Sequence, residues 1–111
     1  DITENGKISC AYFVSSVLLM FGLIKAPHLT VRGLAKDMEQ SGWHKIKEPR
    51  KGSVLVWEKQ KIAGKDHRHV GFFIGDSKAI SNSFKNKSPV VHHWTFKGKR
   101  KIEAIFWHKK I

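Results

Sequence analysis

The sequence predicts an α+β domain in which two helices come first and about five strands follow. Up to residue 42 the apolar residues form one unbroken run and one stripe with helical spacing. From Pro49 onward they lie in short segments separated by Gly, Pro and basic turns, which is typical of strands. Helices followed by strands favour an α+β layout with a mostly antiparallel sheet. The length of 111 residues corresponds to one domain, residues 1–111.

The first helix is predicted over residues 11–24. Ser9 is a suitable N-cap, Lys25 and Pro27 end the segment, and no proline interrupts it. The segment is apolar nearly all round, so we expect a helix that is buried at the centre of the fold. It is shorter than the roughly 20 residues that a membrane span requires, and no span is predicted.

The second helix is predicted over residues 30–41, with Thr30 as its N-cap and Gly42 as the residue that closes it. One apolar stripe has the spacing i, i+3, i+4 and i+7 and should face the core: Val31, Leu34, Ala35 and Met38. The other face carries charged residues and is expected to be exposed to solvent: Arg32, Lys36, Asp37 and Glu39.

Five strands are predicted, and the second and third of them form a hairpin. Their positions are residues 54–58, 69–75, 78–84, 90–96 and 101–108. The basic turn KGKR separates the last two strands. We therefore expect a roughly five-stranded, mostly antiparallel sheet on which both helices pack.

The charge of the chain favours an anionic partner. Lys and Arg number 21 against nine Asp and Glu, so the formal net charge is +12. Such a field attracts nucleic acid, acidic lipid headgroups or an anionic polymer such as a bacterial cell wall. The basic stretches KEPRK, KNK and KGKRK are predicted to be solvated loops, and an electrostatic contact with an anionic partner is the alternative.

Cys10 is the only cysteine in the chain, so it forms no internal disulfide. It directly follows the predicted cap Ser9 and should lie in the first turn of a helix. Unpaired N–H groups and the helix dipole stabilise a thiolate at that place, which predicts a depressed pKa and a reactive sulfur. A buried, unreactive cysteine is the alternative, and position alone does not decide between the two.

A thiol nucleophile needs a base, and histidine is the usual one. Seven histidines are available: His28, His44, His67, His69, His92, His93 and His108. His69 stands out because it opens a strand-like segment, HVGFFIG, with Gly71 two residues further on. The missing side chain at Gly71 would let another backbone, such as the start of the Cys10 helix, come close. An exposed histidine at a strand end is the alternative. The clusters HRH and HH lack cysteine or acidic ligands at recognised spacings, so we predict no metal site and no cofactor.

Three segments resemble the NlpC-type papain-like cysteine peptidases, to which the CHAP amidases are related. They are SCAYFVSSVL, PRKGSVLVWE and HVGFFIGDSKAIS, and the resemblance spans roughly residues 8 to 84. Those enzymes carry the catalytic Cys at the start of a buried helix and the His before Val-Gly and an apolar strand. This chain departs from them around Cys10, where Ser9 and Ala11 replace an acidic residue and a serine, and at Ser53, where the family has an acidic residue.

The resemblance implies a papain-like fold and the hydrolysis of amide bonds, with bacterial cell-wall peptide (peptidoglycan) as the substrate. Cys10 would attack the carbonyl carbon, His69 would act as general base and acid, and a third polar residue would orient His69. A secreted or cell-envelope location, a monomer and the absence of a cofactor are also implied. Nucleic acid is not favoured as the partner.

The third residue depends on the register of the hairpin. Alignment with the family places Ser81 where a His is common. A two-residue type II′ turn at Gly75-Asp76 would instead place Phe72 opposite Ala79 and His69 opposite Asn82. We therefore predict Asn82 as the third catalytic residue, because an amide oxygen accepts well from an imidazole N–H.

A three-residue turn over residues 75–77 would place Ser81 and Ser83 on the face of His69 instead. Packing favours the two-residue turn, because Ile80 and Phe84 would then join Phe73 against the buried helix.

Two other functions stay open at the level of the sequence. One is a non-catalytic module that binds an anionic polymer, which a reactive Cys10 would argue against. The other is an acyltransferase, which uses the same acyl-enzyme as a hydrolase and differs from it only in the acceptor.

Overall fold

The computed structural model describes residues 9–62, 64–83 and 88–111. These residues form two helices and six strands: α1 Ser9–Met20, α2 Val31–Gln40, β1 His44–Lys45, β2 Val54–Ile62, β3 Lys65–Gly75, β4 Lys78–Ser83, β5 Ser88–His93 and β6 Ile102–Trp107. All paired neighbours are antiparallel, in the order β1-β6-β2-β3-β4-β5. The predicted α+β class is confirmed, with the short strand β1 as an addition. Neither helix of the described ranges is long and apolar enough to cross a membrane.

Helix α1 ends at Met20, before the predicted end at residue 24, because Gly22 closes it. Gly22 has a φ of 67° and its N–H donates to Leu19 O at 3.0 Å, while Leu23 N–H donates to Leu18 O at 2.9 Å. This pair of bonds is a Schellman motif, which satisfies the last carbonyl groups of a helix.

Only one face of α1 is buried, so the predicted burial on all sides is wrong. Cys10, Val14 and Leu18 lie at a spacing of four residues and face the sheet, whereas Tyr12 and Met20 are exposed. A helix that packs on one layer of sheet covers only the side chains of one stripe.

Helix α2 starts as predicted, since the Thr30 side chain accepts from Gly33 N–H at 3.1 Å. Leu34 and Met38 are fully buried. The predicted exposure of Asp37 is wrong. Its carboxylate accepts the N–H groups of Lys25 and Ala26 and is 2.7 Å from His28 Nε2. Burial raises the pKa of Asp37, but these hydrogen bonds outweigh it and lower the pKa to about 2.

The sheet has a core on each face. The face under the helices is aliphatic and includes Val54, Val56, Val70 and Phe106. The opposite face holds Leu55, Trp57, Ala79 and Ile105, against which Trp94 and Phe96 pack from the segment after β5. The two faces arise because successive side chains of a strand point in opposite directions.

The β3–β4 hairpin turns at Asp76 and Ser77, one residue later than predicted. Both residues have positive φ, 51° and 59°, which is the signature of a type I′ turn. Gly75 pairs with Lys78, and a register shift follows between Phe73 and Gly75. The predicted pairing of Phe72 with Ala79 is therefore wrong, and Phe72 lies opposite Ile80.

This register reverses the predicted packing of the two phenylalanines. Phe72, not Phe73, faces α1, where its ring lies 6.0 Å from that of Phe13 in an edge arrangement. Phe73 packs on Trp94 on the other face, at 5.8 Å. The predicted contact of Phe84 lies outside the described residues.

Candidate active site

Helix α1 places the sulfur of Cys10 against strand β3. Cys10 is the second residue of the helix and is only 5% exposed. Its Sγ lies 4.0 Å from the carbonyl oxygen of Arg68, and the backbone of Val70 also forms a hydrogen bond to the sulfur. Arg68 and Val70 flank His69 in the chain. The structure thus brings the predicted nucleophile to the backbone on both sides of the predicted base. The His69 side chain itself lies on the Trp57 face of the sheet, whereas Val70 and Cys10 lie on the face under the helices.

The pKa of Cys10 is raised from its ordinary value, so the predicted depression is wrong. Burial of the thiol is the main cause. Hydrogen bonds from the backbone of Val70 and Ala11 and the charge of Arg100 act in the opposite direction without cancelling it. In the resting protein the thiol is protonated, and it becomes nucleophilic only when a base removes the proton.

A cleft of 210 Å³ opens beside Cys10, between the starts of both helices and the β2–β3 hairpin. Its walls include Cys10, Thr30, Arg32, Lys59, Asp66 and His67. The Nε2 atom of His67 is buried and has no hydrogen-bond partner within the described residues. Cys10 thus lines a cleft whose charged side chains are mostly basic.

His69 is fixed by one hydrogen bond and by aromatic rings. Its Nε2 lies 2.9 Å from Ser81 Oγ, and its ring centroid lies 5.3 Å from Trp57 and 6.0 Å from Phe96. Burial, followed by the positive charges of Arg100 and His92, lowers the pKa of His69 to about 3. The imidazole is thus neutral near pH 7 and has a free lone pair, and the lowered pKa makes this lone pair a weak base.

The hydrogen bond of His69 continues into β5. Ser81 is 1% exposed, and its Oγ also lies 2.7 Å from His92 Nε2. His92 Nδ1 lies 2.8 Å from the backbone oxygen of His93, and the His92 ring stacks on Phe96 at 4.1 Å. We call His69, Ser81 and His92 the polar relay.

Gly71 makes room for this relay. A Cβ atom at position 71 would lie 2.5 Å from Ile80 O, 2.7 Å from Ser81 Cβ and 3.2 Å from the Trp57 ring. The glycine was expected to admit the start of the Cys10 helix. The backbone that it admits is instead β4, because the face of Gly71 is the face of Trp57 and Ser81.

The register that selected Asn82 is wrong. Ser81 lies opposite Gly71 and bonds to His69, whereas Asn82 pairs with Pro89 and follows Ser81 on the strand. Because side chains alternate along a strand, Asn82 points to the other face. The residue in contact with His69 is Ser81, which is the alternative that the three-residue turn would have given.

Sequence reasoning missed His92 and misplaced Arg100. The sequence offers His92 as one of seven candidate bases and as a possible metal ligand, but not as a partner of His69; its pairing opposite Ala79 places it beside Ser81. Arg100 was expected in a solvated loop but is 8% exposed, and its guanidinium donates to Glu58 O at 3.0 Å and His67 O at 2.8 Å. The alternation of β4 and β5 was the available signal for His92. The stretch KNK lies outside the described residues.

No protein-family model matches this sequence, and a search of curated proteins finds no match. In the ranges 9–62, 64–83 and 88–111, no three His, Cys, Asp or Glu side chains cluster so that they could hold a metal ion. The function is therefore argued from the geometry of the site.

Proposed function

We propose that this chain is a small papain-like cysteine hydrolase that cleaves amide bonds, with bacterial cell-wall peptide as its substrate. One observation carries the proposal. The chain's only thiol lies in the first turn of α1, beside an open cleft, with its sulfur 4.0 Å from the carbonyl of the residue that precedes His69. A buried structural cysteine needs no cleft beside it.

In the first half of the reaction His69 takes the Cys10 proton. The sulfur then bonds to the amide carbon, and the backbone N–H groups at the start of α1 stabilise the oxyanion. His69 returns the proton to the leaving nitrogen as the C–N bond breaks, which leaves a thioester and a free amine. In the second half His69 takes a proton from water, and the oxygen bonds to the thioester carbon as the C–S bond breaks. His69 returns the proton to the sulfur, which restores the thiol, and the released carboxylic acid loses its own proton to solvent.

Ser81 replaces Asn82 as the residue that orients His69. It occupies the position at which the resembling peptidases commonly have a His, and its hydroxyl contacts His69 Nε2. An imidazole that is held through one nitrogen presents the other to its substrate in a fixed direction.

The cleft supports a peptide that carries carboxylates. It continues into a groove of 520 Å³ between α2 and the sheet, since both are lined by Val31, Arg32, Lys59 and Arg68. Arg68 is paired with Glu103 at 2.9 Å, but neither Arg32 nor Lys59 has a salt bridge within the described ranges. Glu39 and Glu103 also line the groove and would repel a continuous phosphate backbone. An acidic peptide fits this mixed rim better than nucleic acid.

The test is incubation of the full chain with purified peptidoglycan and a panel of acidic and neutral peptides, with the products identified by mass spectrometry. We expect new amine and carboxylate termini with the wild type and none with Cys10→Ala. His69→Gln should lose most of the turnover, while His44→Gln, at an exposed histidine of β1, should keep it. Products that persist in Cys10→Ala would contradict the proposal.

A second function is favoured by the raised pKa and the burial of Cys10. A thiol that stays protonated in a basic cleft is compatible with a module that binds an anionic polymer without cleaving it. In that case the wild type and Cys10→Ala would bind peptidoglycan equally, neither would release products, and binding would weaken with salt. An added amine acceptor in the same assay separates transfer from hydrolysis.

A further inference from the structure

The direction of each hydrogen bond in the polar relay follows from its last member. A backbone carbonyl oxygen only accepts, so His92 Nδ1, at 2.8 Å from His93 O, must carry a hydrogen. In a neutral imidazole the other nitrogen is then a bare acceptor. His92 Nε2 therefore accepts the hydroxyl hydrogen of Ser81 across 2.7 Å.

The same logic fixes His69. Ser81 has one hydroxyl hydrogen, and this hydrogen is directed at His92. Toward His69 the serine oxygen can only accept, so His69 Nε2 must donate across 2.9 Å. Neutral His69 is then the Nε2–H tautomer, and its lone pair is on Nδ1.

We propose that His92 is a positioning residue that acts through the Ser81 hydroxyl and holds His69 in the tautomer whose Nδ1 can take the Cys10 proton. The catalytic part of this inference rests on the proposed hydrolase function. The tautomers themselves are a property of the resting protein. Nothing in the resemblance to papain-like peptidases assigns a role to position 92.

Protonation of His92 would reverse the direction of the hydrogen bonds in the polar relay. When His92 is protonated, its Nε2 carries a hydrogen and donates to Ser81. Because Ser81 is 1% exposed, its own hydrogen then has His69 Nε2 as the available acceptor. His69 would shift to the Nδ1–H tautomer, and Nδ1 could no longer accept from Cys10. A single proton on His92 would thus switch off the base.

The surroundings of His92 keep this proton off near neutral pH. Its ring packs on Phe96 and Trp57, and the titratable groups nearby are His69, through Ser81, and His93 of the same strand. Burial is the main cause that lowers the pKa of His92, and the charge of His93 acts in the same direction. The hydrogen bond to His93 O opposes them.

The test is ¹⁵N NMR of the imidazole nitrogens in the resting full-length chain, combined with the pH profile of kcat. The wild type should show a hydrogen on Nε2 of His69 and on Nδ1 of His92. His92→Leu removes the acceptor and should leave His69 as a mixture of tautomers, with kcat lowered roughly 10- to 100-fold. His92→Gln keeps an acceptor at the place of Nε2 and should restore both readouts, while His44→Gln should change neither.

Two results would overturn the proposal. The first is a hydrogen on Nδ1 of His69 in the wild type near pH 7, which needs no variant to fold. The second is an unchanged His69 tautomer in a folded His92→Leu protein. If the tautomers are as derived but no substrate is cleaved, the relay stands and the hydrolase function fails. In an active enzyme, His92→Gln should also keep its activity to lower pH than the wild type.

Discussion

The face of the sheet that carries α1 and α2 is apolar, whereas the opposite face buries the polar relay among aromatic rings. Under the helices, Val54, Val56 and Val70 pack against Leu34 and other aliphatic side chains. On the other face Trp57 is fully buried, and no helix of the described chain covers it; residues 94–100 do. Strands β2, β3 and β6 therefore contribute side chains to two cores of different chemistry.

The difference shows on which face of the sheet the register of strand pairing matters most. An aliphatic core tolerates small shifts, because any apolar side chain of suitable volume contributes. The polar face does not, because the hydrogen bonds of Ser81 to two histidines exist in one register only. The predictions below test this contrast, from the largest effect on the free energy of unfolding to the smallest.

Trp57→Ala should destabilise the fold most, by about 3–5 kcal/mol. The substitution removes a fully buried ring and its Nε1 hydrogen bond to Trp94 O at 2.8 Å. Denaturant unfolding measures the loss. Trp107→Ala is the matched control and should cost less, because that ring is partly exposed beneath Arg50. Equal losses would mean that the Trp57 face is not a core in its own right.

Gly71→Ala should cost roughly 1–3 kcal/mol, although alanine has an ordinary strand conformation. The added methyl group would meet β4 backbone at 2.5 Å and push Ser81 away from His69. Thermal unfolding and the ¹⁵N signals of His69 would both change. A neutral effect on stability would show that β3 and β4 are farther apart than the relay requires.

The two faces should lose stability in different ranges of pH. His69 is held neutral in the folded protein, so below pH 6.5 the chain takes up a proton when it unfolds. The contribution of His69 to the free energy of unfolding is therefore complete above pH 6.5 and is lost as the pH falls toward 3. About 2 kcal/mol should be lost between pH 6.5 and 5. The contribution of Asp37, which belongs to α2 on the helix side of the sheet, persists above pH 3.8 and is lost as the pH falls through about 2. Urea midpoints across pH measure both.

Histidine and aspartate variants separate these two ranges. His69→Gln should remove the loss of stability between pH 6.5 and 5 and keep the loss below pH 3.8. Asp37→Asn should remove only the loss below pH 3.8. A wild-type protein whose stability is constant from pH 7 to 5 would contradict the burial of a neutral His69.

Ser81→Ala should have a smaller effect on stability, about 1–2 kcal/mol from two lost hydrogen bonds. Its effect on turnover should be larger, since His69 would lose its orientation. Asn82→Ala should change turnover little and stability by less than about 0.5 kcal/mol. This ranking reverses the one that the sequence predicts. Greater loss of turnover in Asn82→Ala would restore the original register.

The sequence was sufficient for the features that depend on local pattern. The order of helices and strands and the Thr30 cap follow from periodicity and composition. It was insufficient where the outcome depends on long-range packing. The burial of Asp37 is decided by backbone N–H groups of the loop before α2, which no periodicity reveals.

The hairpin shows the same limit at a single residue. Gly75-Asp76 and Asp76-Ser77 are both acceptable two-residue turns, and the second is adopted with a bulge before it. That choice moves Ser81 onto the face of His69 and removes Asn82 from it. The pKa of Cys10 was missed for a related reason, because the helix start favours the thiolate while the burial that opposes it is visible only in the folded chain.

The pH dependence of Cys10 alkylation tests most directly whether the thiol and His69 act together. In the wild type a small fraction of molecules should hold the thiol proton on His69, and this fraction does not vary with pH between the two pKa values. The rate with iodoacetamide should therefore level off as the pH falls toward the pKa of His69. In His69→Gln it should keep falling about tenfold per unit of pH. Identical profiles for the two proteins would contradict the account.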